Sequence, residues 1–289
     1  MKHRLEYAAV RCVAWLVRPV SMARARAWGA AIGRLAYYID ARHRRVARAN
    51  LARAFPSRSE AERAAIARQV FAHFGSLLLE LLKVSTMSVD RLLALVELEG
   101  EEHCWNALKA GRGLLCFTGH FGYWEIQAIA SAARFTPISV LARPLDNPYL
   151  HRMLEEIRTM TGNQVIYRQG AIRRILRELA SNRAVAMLID QHLQRDAVVV
   201  DFFRRPAATT TALAVLALRT GAVVLPVFAL PLPGGRYKLV YEHPVEPPRE
   251  ESADAIREFT QRCTDVLEMY VRRHPELWLW MHRRWRDDE

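Results

Sequence analysis

The chain has 289 residues, 51% of them hydrophobic, and a formal net charge of +12. That length and apolar content suit one large α/β domain, or a domain with an appendage, and exclude a disordered chain or a collagen-like repeat. The four cysteines, Cys12, Cys104, Cys116 and Cys263, stand far apart with no C-x-x-C pair. This spacing argues against a disulfide framework or a cysteine zinc site, and for a reducing, cytosol-facing location.

The charge is unevenly placed. Residues 1–53 carry twelve Lys or Arg against Glu6 and Asp40, a net +10, which leaves the rest of the chain almost neutral. A basic face of this kind seeks an anionic surface, either phospholipid headgroups or nucleic acid. Between its charges the segment is apolar, but Arg11, Arg18, Arg24, Arg26 and Arg34 cut it too often for a spanning helix. Trp15, Trp28, Tyr37 and Tyr38 are residue types that sit well at a headgroup boundary. Two readings fit: basic amphipathic helices lying in a membrane interface, which is preferred, and helices packed on the body with a solvated basic face. Basic residues precede an apolar run, as in a signal peptide, but no small-residue cleavage site follows.

Residues 1–53 are expected to be helical, and "FPS" at 55–57 breaks the pattern. Ser59 to Glu62 form a capping box, and a long helix follows through "AAIARQVFAHFGSLLLELLK". The texture then changes to short Val/Ile/Leu runs alternating with helical stretches. Strands are expected at "GLLCFT", "PISVLA", "QVIY", "AVAMLI", "AVVVDFF" and "AVVLPVFAL", with "RYKLVYEHPVE" as an edge strand. Helices are expected from about Tyr123, from Asn147 to Met160, over 171–181, over "TTTALAVLALRT" and over "ADAIREFTQRCTDVLEMYVRR". This alternation predicts an α/β fold with a mixed, mostly parallel sheet flanked by helices. The simplest division is an N-terminal basic amphipathic helical region at 1–55, associating with membrane, and an α/β domain at 56–289.

Ligands gather at the carboxyl ends of strands in open α/β sheets. In "TGHFGYWEIQ", His120 sits at such an end, Gly122 allows a turn and a close approach, and Glu125 falls in the first turn of the next helix. A histidine there is often only a cap. If its ring folds back towards Glu125, the carboxylate fixes the tautomer and makes the other nitrogen more basic, as in a hydrolase triad. No serine or cysteine nucleophile lies in the motif, so the activated group would be a hydroxyl of the substrate.

Several blocks strengthen the catalytic reading. "TGHFGYWE" resembles the H-x4-D/E block of membrane glycerolipid acyltransferases, most nearly the lipid A biosynthesis (lauroyl/myristoyl) acyltransferase family. "ARANLARAFP" (47–56), "LARPLDNPYL" (141–150), the stretch 188–227 with "DQ", "VVVDFFRRPAATTT" and "TGAVVLPV", and "HPELWLWMHRRWR" (274–286) resemble further blocks of that family, in the same order. The resemblance covers nearly the whole chain. Gly119 stands where the family usually has Asn, and Arg204 where a glycine commonly follows "FF".

The resemblance implies transfer of a fatty acyl chain from an acyl-carrier-protein or acyl-CoA thioester to a hydroxyl of a lipid A precursor, with no cofactor and no metal. His120 is then the general base and Glu125 its orienting partner. Gly122 and neighbouring amides would offer oxyanion donors. Arg143, Asn147, Arg158, Arg168, Asp190 and Gln191 are the candidate substrate contacts, arginine being suited to a phosphorylated glycolipid. Their ordinary alternatives are an N-cap, a surface ion pair and a turn residue; Asp190 and Arg158 are favoured because both match residues of the family's active site. Tyr123 and Trp124 are expected in packing, and His282 in a structural role. The alternative acceptors are another glycolipid, such as a mannosylated phosphatidylinositol, or a lysophospholipid. A remoter reading, a non-catalytic membrane- or nucleic-acid-binding protein, has no binding motif behind it, and no nucleic-acid partner is expected. The expected location is the cytoplasmic face of the inner membrane.

Overall fold

The computed structural model describes residues 1–167, 170–193 and 195–285. Four helices come first: α1 (Lys2–Val17), α2 (Met22–Ile39), α3 (Ala41–Ala54) and α4 (Glu60–Val84). They are followed by α5 (Val89–Leu93), β1 (Val96–Glu99), α6 (Glu101–Lys109), β2 (Leu114–Thr118), α7 (Trp124–Arg134), β3 (Ile138–Leu141), α8 (Pro148–Thr159) and β4 (Gln164–Ile166). The chain continues as α9 (Ala171–Ala180), β5 (Ala184–Leu188), β6 (Ala197–Asp201), β7 (Pro206–Thr210), α10 (Ala212–Thr220), β8 (Val223–Leu232), β9 (Arg236–Tyr241) and α11 (Ala253–Arg273).

Seven strands form one sheet in the order β1-β9-β8-β2-β5-β3-β4. Every neighbouring pair is parallel except β8 and β9. The expected mixed, mostly parallel sheet flanked by helices is therefore what forms. Its central strand β2 is buried along its whole length, and alternate side chains enter two cores. Leu115 and Phe117 point to the core shared with Val185, Phe228, Phe259 and Leu267. Leu114 and Cys116 point to the other, with Ala184, Leu225, Ile126 and Ile129. Strands buried on both faces must be apolar at every position, which is why they stand out as short continuous runs.

Three local expectations need correction. "RYKLVYEHPVE" is not an edge strand: β9 lies between β8 and β1, because the four-residue β1, too short to stand out as a run, pairs outside it. "AVVVDFF" does not join the main sheet: β6 pairs with β7 in a separate antiparallel hairpin, turned through Phe203 and Arg204 at positive φ. That hairpin takes Thr209 and Thr210 from the expected helix, which begins at Ala212.

The capping box forms at the start of α4: the Ser59 hydroxyl accepts the Glu62 N–H, and the Glu62 carboxylate accepts the Ser59 N–H. α4 is long and apolar enough to span a membrane by length and composition, but 61% of its apolar stretch is buried inside the fold, largely under α2. The reason for that close packing is "GAAIG" (29–33). Gly29 and Gly33 fall four residues apart on one face of α2 and meet Gly75 of α4 backbone to backbone, a small-residue contact of the kind helices use to approach closely. A Cβ at Gly33 would collide with the Phe71 carbonyl. Gly33→Val should accordingly lower the unfolding free energy by ~1–3 kcal/mol, read as a drop in denaturant midpoint at unchanged slope.

The opposite face of α2 is apolar too. Trp28, Ile32, Leu35 and Ile39 are exposed there at helical spacing, and Trp15 and Leu16 of α1 and Leu78 of α4 are exposed as well. Arg24 and Arg34 are exposed on α2, and Arg18 is exposed directly after α1.

Candidate active site

β2 and β5 are adjacent and parallel, with Thr118 opposite Leu188. Two residues beyond each strand end the register therefore sets His120 beside Asp190. The Asp190 carboxylate is 4% exposed and fully engaged. Its Oδ1 accepts the His120 Nδ1–H at 2.8 Å, and its Oδ2 accepts the His120 backbone N–H at 2.6 Å and the Trp278 indole N–H at 2.8 Å. A carboxylate can only accept, so the proton of a neutral imidazole sits on Nδ1 and Nε2 keeps its lone pair. The Gln191 side-chain amide lies 3.4 Å from that Nε2. Gly119 makes room for this arrangement, since a Cβ there would stand 2.9 Å from Asp190 Oδ2.

The turn that follows is held from three sides. Gly122 has φ +59, and a Cβ would collide with the Ala229 carbonyl. Its N–H donates to the Leu277 carbonyl at 2.9 Å, and the Tyr123 N–H donates to Ala229 at 3.1 Å. Its own carbonyl accepts from His73 Nε2 at 3.1 Å. Burial pushes the His73 pKa down to about 4, so this ring is a neutral structural donor.

Glu125 does not reach His120. It forms a two-pronged ion pair with Arg158 of α8, Nε to Oε2 at 2.8 Å and Nη2 to Oε1. Arg158 and Glu125 are 18% and 10% exposed, so the pair is largely desolvated. Beneath it lies a narrow cleft of about 70 Å³ between α7 and the sheet. Its floor includes Cys116, Thr118, Val140, Ala142, Ala186 and Leu188, and its rim carries Trp124, Glu125 and Arg158. Three of the floor side chains on β2 and β5, Cys116, Thr118 and Ala186, are small and leave room there. The Trp124 ring also sits edge-on to His120, with centroids 5.4 Å apart.

Burial alone lowers the pKa of the His120 imidazole, but the Asp190 charge and hydrogen bond, with a contribution from Glu125, outweigh it and hold the value above normal. Burial alone would raise Asp190, yet the His120 charge and hydrogen bonds, with that of Trp278, draw it down to about 2. A base must be neutral to take a proton. If His120 is the base, kcat/KM rises with pH through an acid limb above the usual histidine value of about 6.5. A limb at or below that value would count against the assignment. Stability runs the other way: the raised imidazole pKa stabilises the fold fully below about pH 6.5, and this is lost as pH climbs through the folded value.

The family model for bacterial lipid A biosynthesis acyltransferases matches residues 3–287. The chain belongs to that family. It is 27% identical over 277 residues to the lipid A biosynthesis lauroyltransferase of Escherichia coli K12, covering 95% of this chain and 89% of that one. It is also 27% identical over 210 residues to the phosphatidylinositol mannoside acyltransferase of Mycolicibacterium smegmatis, covering 71% of this chain and 67% of that one. A solved structure, the 1-acyl-sn-glycerophosphate acyltransferase PlsC of Thermotoga maritima, aligns at 14% identity with a TM-score of 0.38, covering 92% of this chain and 97% of that one. The protein is an acyltransferase.

The acyltransferase gathers some of its sequence-predicted residues and not others. His120, Asp190 and Gln191 meet, while Glu125 and Arg158 meet each other at the cleft rim. The expectation that Glu125 orients His120 is corrected: Asp190 does so, because strand register brings it adjacent. The expectation that Gly122 donates to an oxyanion is corrected as well, since its N–H is already spent on Leu277. Asn147 is the buried N-cap of α8, and its amide also donates to His3 O and to Glu6 of α1, so its hydrogen bonds serve the fold. Arg143 forms an exposed ion pair with Asp146 at 3.8 Å. Arg168 lies outside the described residues. Tyr123 is buried packing as expected, whereas Trp124 lines the cleft. The C-terminal stretch 278–285 lies beside the site: Trp278, Trp280 and Arg284 are buried, Arg283 is exposed, and the Leu279 N–H donates to the His120 carbonyl. His282 sits within this anchor, its carbonyl accepting from Asn50. Trp278 and His73 escape sequence reasoning, since an indole or imidazole in an apolar stretch gives no sign of what it will touch.

Proposed function

We propose that this acyltransferase moves a fatty acyl chain from an acyl-carrier-protein or coenzyme A thioester to a hydroxyl of a lipid A precursor, with His120 as general base. The observation that carries the reading is the His120–Asp190 pair beside an apolar cleft. Asp190 holds the Nδ1–H, which leaves Nε2 to accept the proton of the acceptor hydroxyl. As that proton moves to Nε2, the acceptor oxygen bonds to the thioester carbonyl carbon. The tetrahedral adduct collapses with cleavage of the C–S bond, and the leaving thiolate takes the proton back from the imidazolium. No acyl-enzyme is needed. The first-turn N–H groups of α7 lack intrahelical acceptors and are suited to polarising the carbonyl. The acyl chain lies in the narrow, mostly apolar cleft under α7. Arg158 and Glu125 hold its rim.

A lipid A precursor is the favoured acceptor because similarity to the lauroyltransferase spans 95% of the chain. The mannoside acyltransferase relative keeps a mannosylated phosphatidylinositol as the second reading. Residues 1–55 form the membrane-associating region, meeting the cytoplasmic face of the inner membrane through the exposed apolar side chains of α1 and α2 and the exposed arginines of the same segment. This charge also suits an acidic carrier protein.

The test is acyl transfer by membranes holding wild type or His120→Ala, offered labelled acyl-carrier-protein donors of several chain lengths and a tetra-acylated lipid A precursor. Wild type transfers, and the variant at equal expression loses at least ~100-fold. Full activity in the variant removes His120 as base. Transfer only to mannosylated phosphatidylinositol moves the assignment to the second acceptor.

A further inference from the structure

The cleft beneath Glu125 and Arg158 is apolar over most of its wall; of its other polar lining residues, Ser131 and Asn163 are hydrogen-bonded within the fold, to Tyr241 and to the Ile138 N–H and Ala128 carbonyl, and two are not. Thr118, at the end of β2, and Gln127, on α7, both line it, and they are 5% and 6% exposed. The Thr118 hydroxyl oxygen and Gln127 Oε1 are buried and have no hydrogen-bond partner. Buried polar atoms are nearly always satisfied in folded proteins, and leaving one unmade is costly. Both atoms belong to side chains that line the same cleft. A plain hydrocarbon chain satisfies neither.

Their chemistry narrows the ligand. Gln127 Oε1 can only accept, so it calls for a donor, and the Thr118 hydroxyl both donates and accepts. A hydroxyl on the ligand answers either atom. Position narrows it further. Thr118 is two residues before His120, and Gln127 two residues after Glu125, so both stand at the catalytic end of the cleft. We propose that the cleft selects a hydroxylated acyl chain, with the hydroxyl near the thioester carbon, at C2 or C3, and that Thr118 and Gln127 are the residues that determine this choice. The inference rests on the cleft being the acyl-chain site. A site built to hydrogen-bond a substrate hydroxyl rejects the analogue lacking it far more strongly than an apolar pocket rejects an added one.

The test sets dodecanoyl, 2-hydroxydodecanoyl and 3-hydroxydodecanoyl acyl-carrier-protein thioesters in competition, with wild type, Thr118→Val and Gln127→Leu and a tetra-acylated lipid A precursor. Binding of dodecanoic, 2-hydroxydodecanoic and 3-hydroxydodecanoic acids to wild-type protein is measured alongside by calorimetry. Wild type should favour one hydroxylated donor over the plain chain by at least ~10-fold in kcat/KM. Gln127→Leu and Thr118→Val should each shrink that ratio, chiefly by improving use of the plain chain. Wild type favouring the plain chain, or one unchanged ratio in all three proteins, overturns the proposal. The binding arm separates it from the reading beneath it. A preference for a hydroxylated acid without any transfer keeps the assignment of the cleft and removes the donor or acceptor. Transfer with no preference in either arm keeps the transferase and leaves the two polar atoms to bound water.

Discussion

Asp190→Asn should lower kcat for acyl transfer by ~10³–10⁴-fold with little change in KM or in folding. The argument is one of tautomers. In the native site both the His120 backbone N–H and the Trp278 indole donate to Oδ2, while Oδ1 faces Nδ1 of the ring. An asparagine keeps those two donors satisfied only if its carbonyl takes the Oδ2 position. Its amide then faces Nδ1, which must become an acceptor. The imidazole proton is forced onto Nε2, the nitrogen that the proposed mechanism needs as acceptor, so the proposed base is lost with the geometry intact. The same change removes the negative charge that holds the imidazole pKa up, so any residual activity should show an acid limb moved to lower pH. Glu125→Gln gives the contrast: it disturbs the ion pair with Arg158 and leaves the imidazole's partner in place. A larger kcat loss in Glu125→Gln than in Asp190→Asn would return the orienting role to Glu125.

Glu80→Leu should be among the most destabilising single changes in the chain, at ~3–5 kcal/mol by denaturant unfolding in detergent. Glu80 is fully buried on α4 and ties that helix to α2, to β9 and to the turn at Tyr123. It accepts from Arg26 of α2 through Nε at 2.7 Å and Nη2 at 3.2 Å, from the Tyr123 hydroxyl at 3.0 Å and from the Tyr237 hydroxyl of β9. Arg26 also donates to the Leu232 and Arg236 carbonyls and packs over both tyrosine rings. Removing the carboxylate leaves a guanidinium that is only 19% exposed without its counter-charge. The double variant Arg26→Leu with Glu80→Leu should therefore lose less than Glu80→Leu alone. The exposed pair Arg236–Glu97 is the control, where Glu97→Gln should cost ~0–1 kcal/mol. Equal losses at the two sites would refute the burial argument. Tyr123 directly precedes α7, so loosening this cluster should also slow catalysis.

Much of the fold was legible in local pattern. Apolar runs bounded by turn residues located β2, β3, β4, β5 and β8, and the Ser59–Glu62 box marked the start of α4, because these signals act over a few neighbouring residues. β1 was missed, since four residues alternating in exposure make no run, and with it went the interior placement of β9. The site was legible in part. His120 and Asp190 were each found at a strand end, but the H-x4-E spacing pointed to Glu125 as the partner.

By itself, then, the sequence determined that this is an α/β chain with a basic, apolar N-terminal segment, a histidine at the exit of a central strand and the ordered blocks of one acyltransferase family. Only the tertiary structure decided which carboxylate holds His120. The parallel register of β2 and β5 sets residues seventy apart side by side, while five residues around a turn and helix start carry Glu125 to Arg158. It also decided that the tryptophans of the C-terminal segment support the site from within the core, and that Gly29, Gly33 and Gly75 bring α2 and α4 into backbone contact. Local propensity reaches a few residues along the chain, whereas these contacts depend on which surfaces the whole chain buries against each other.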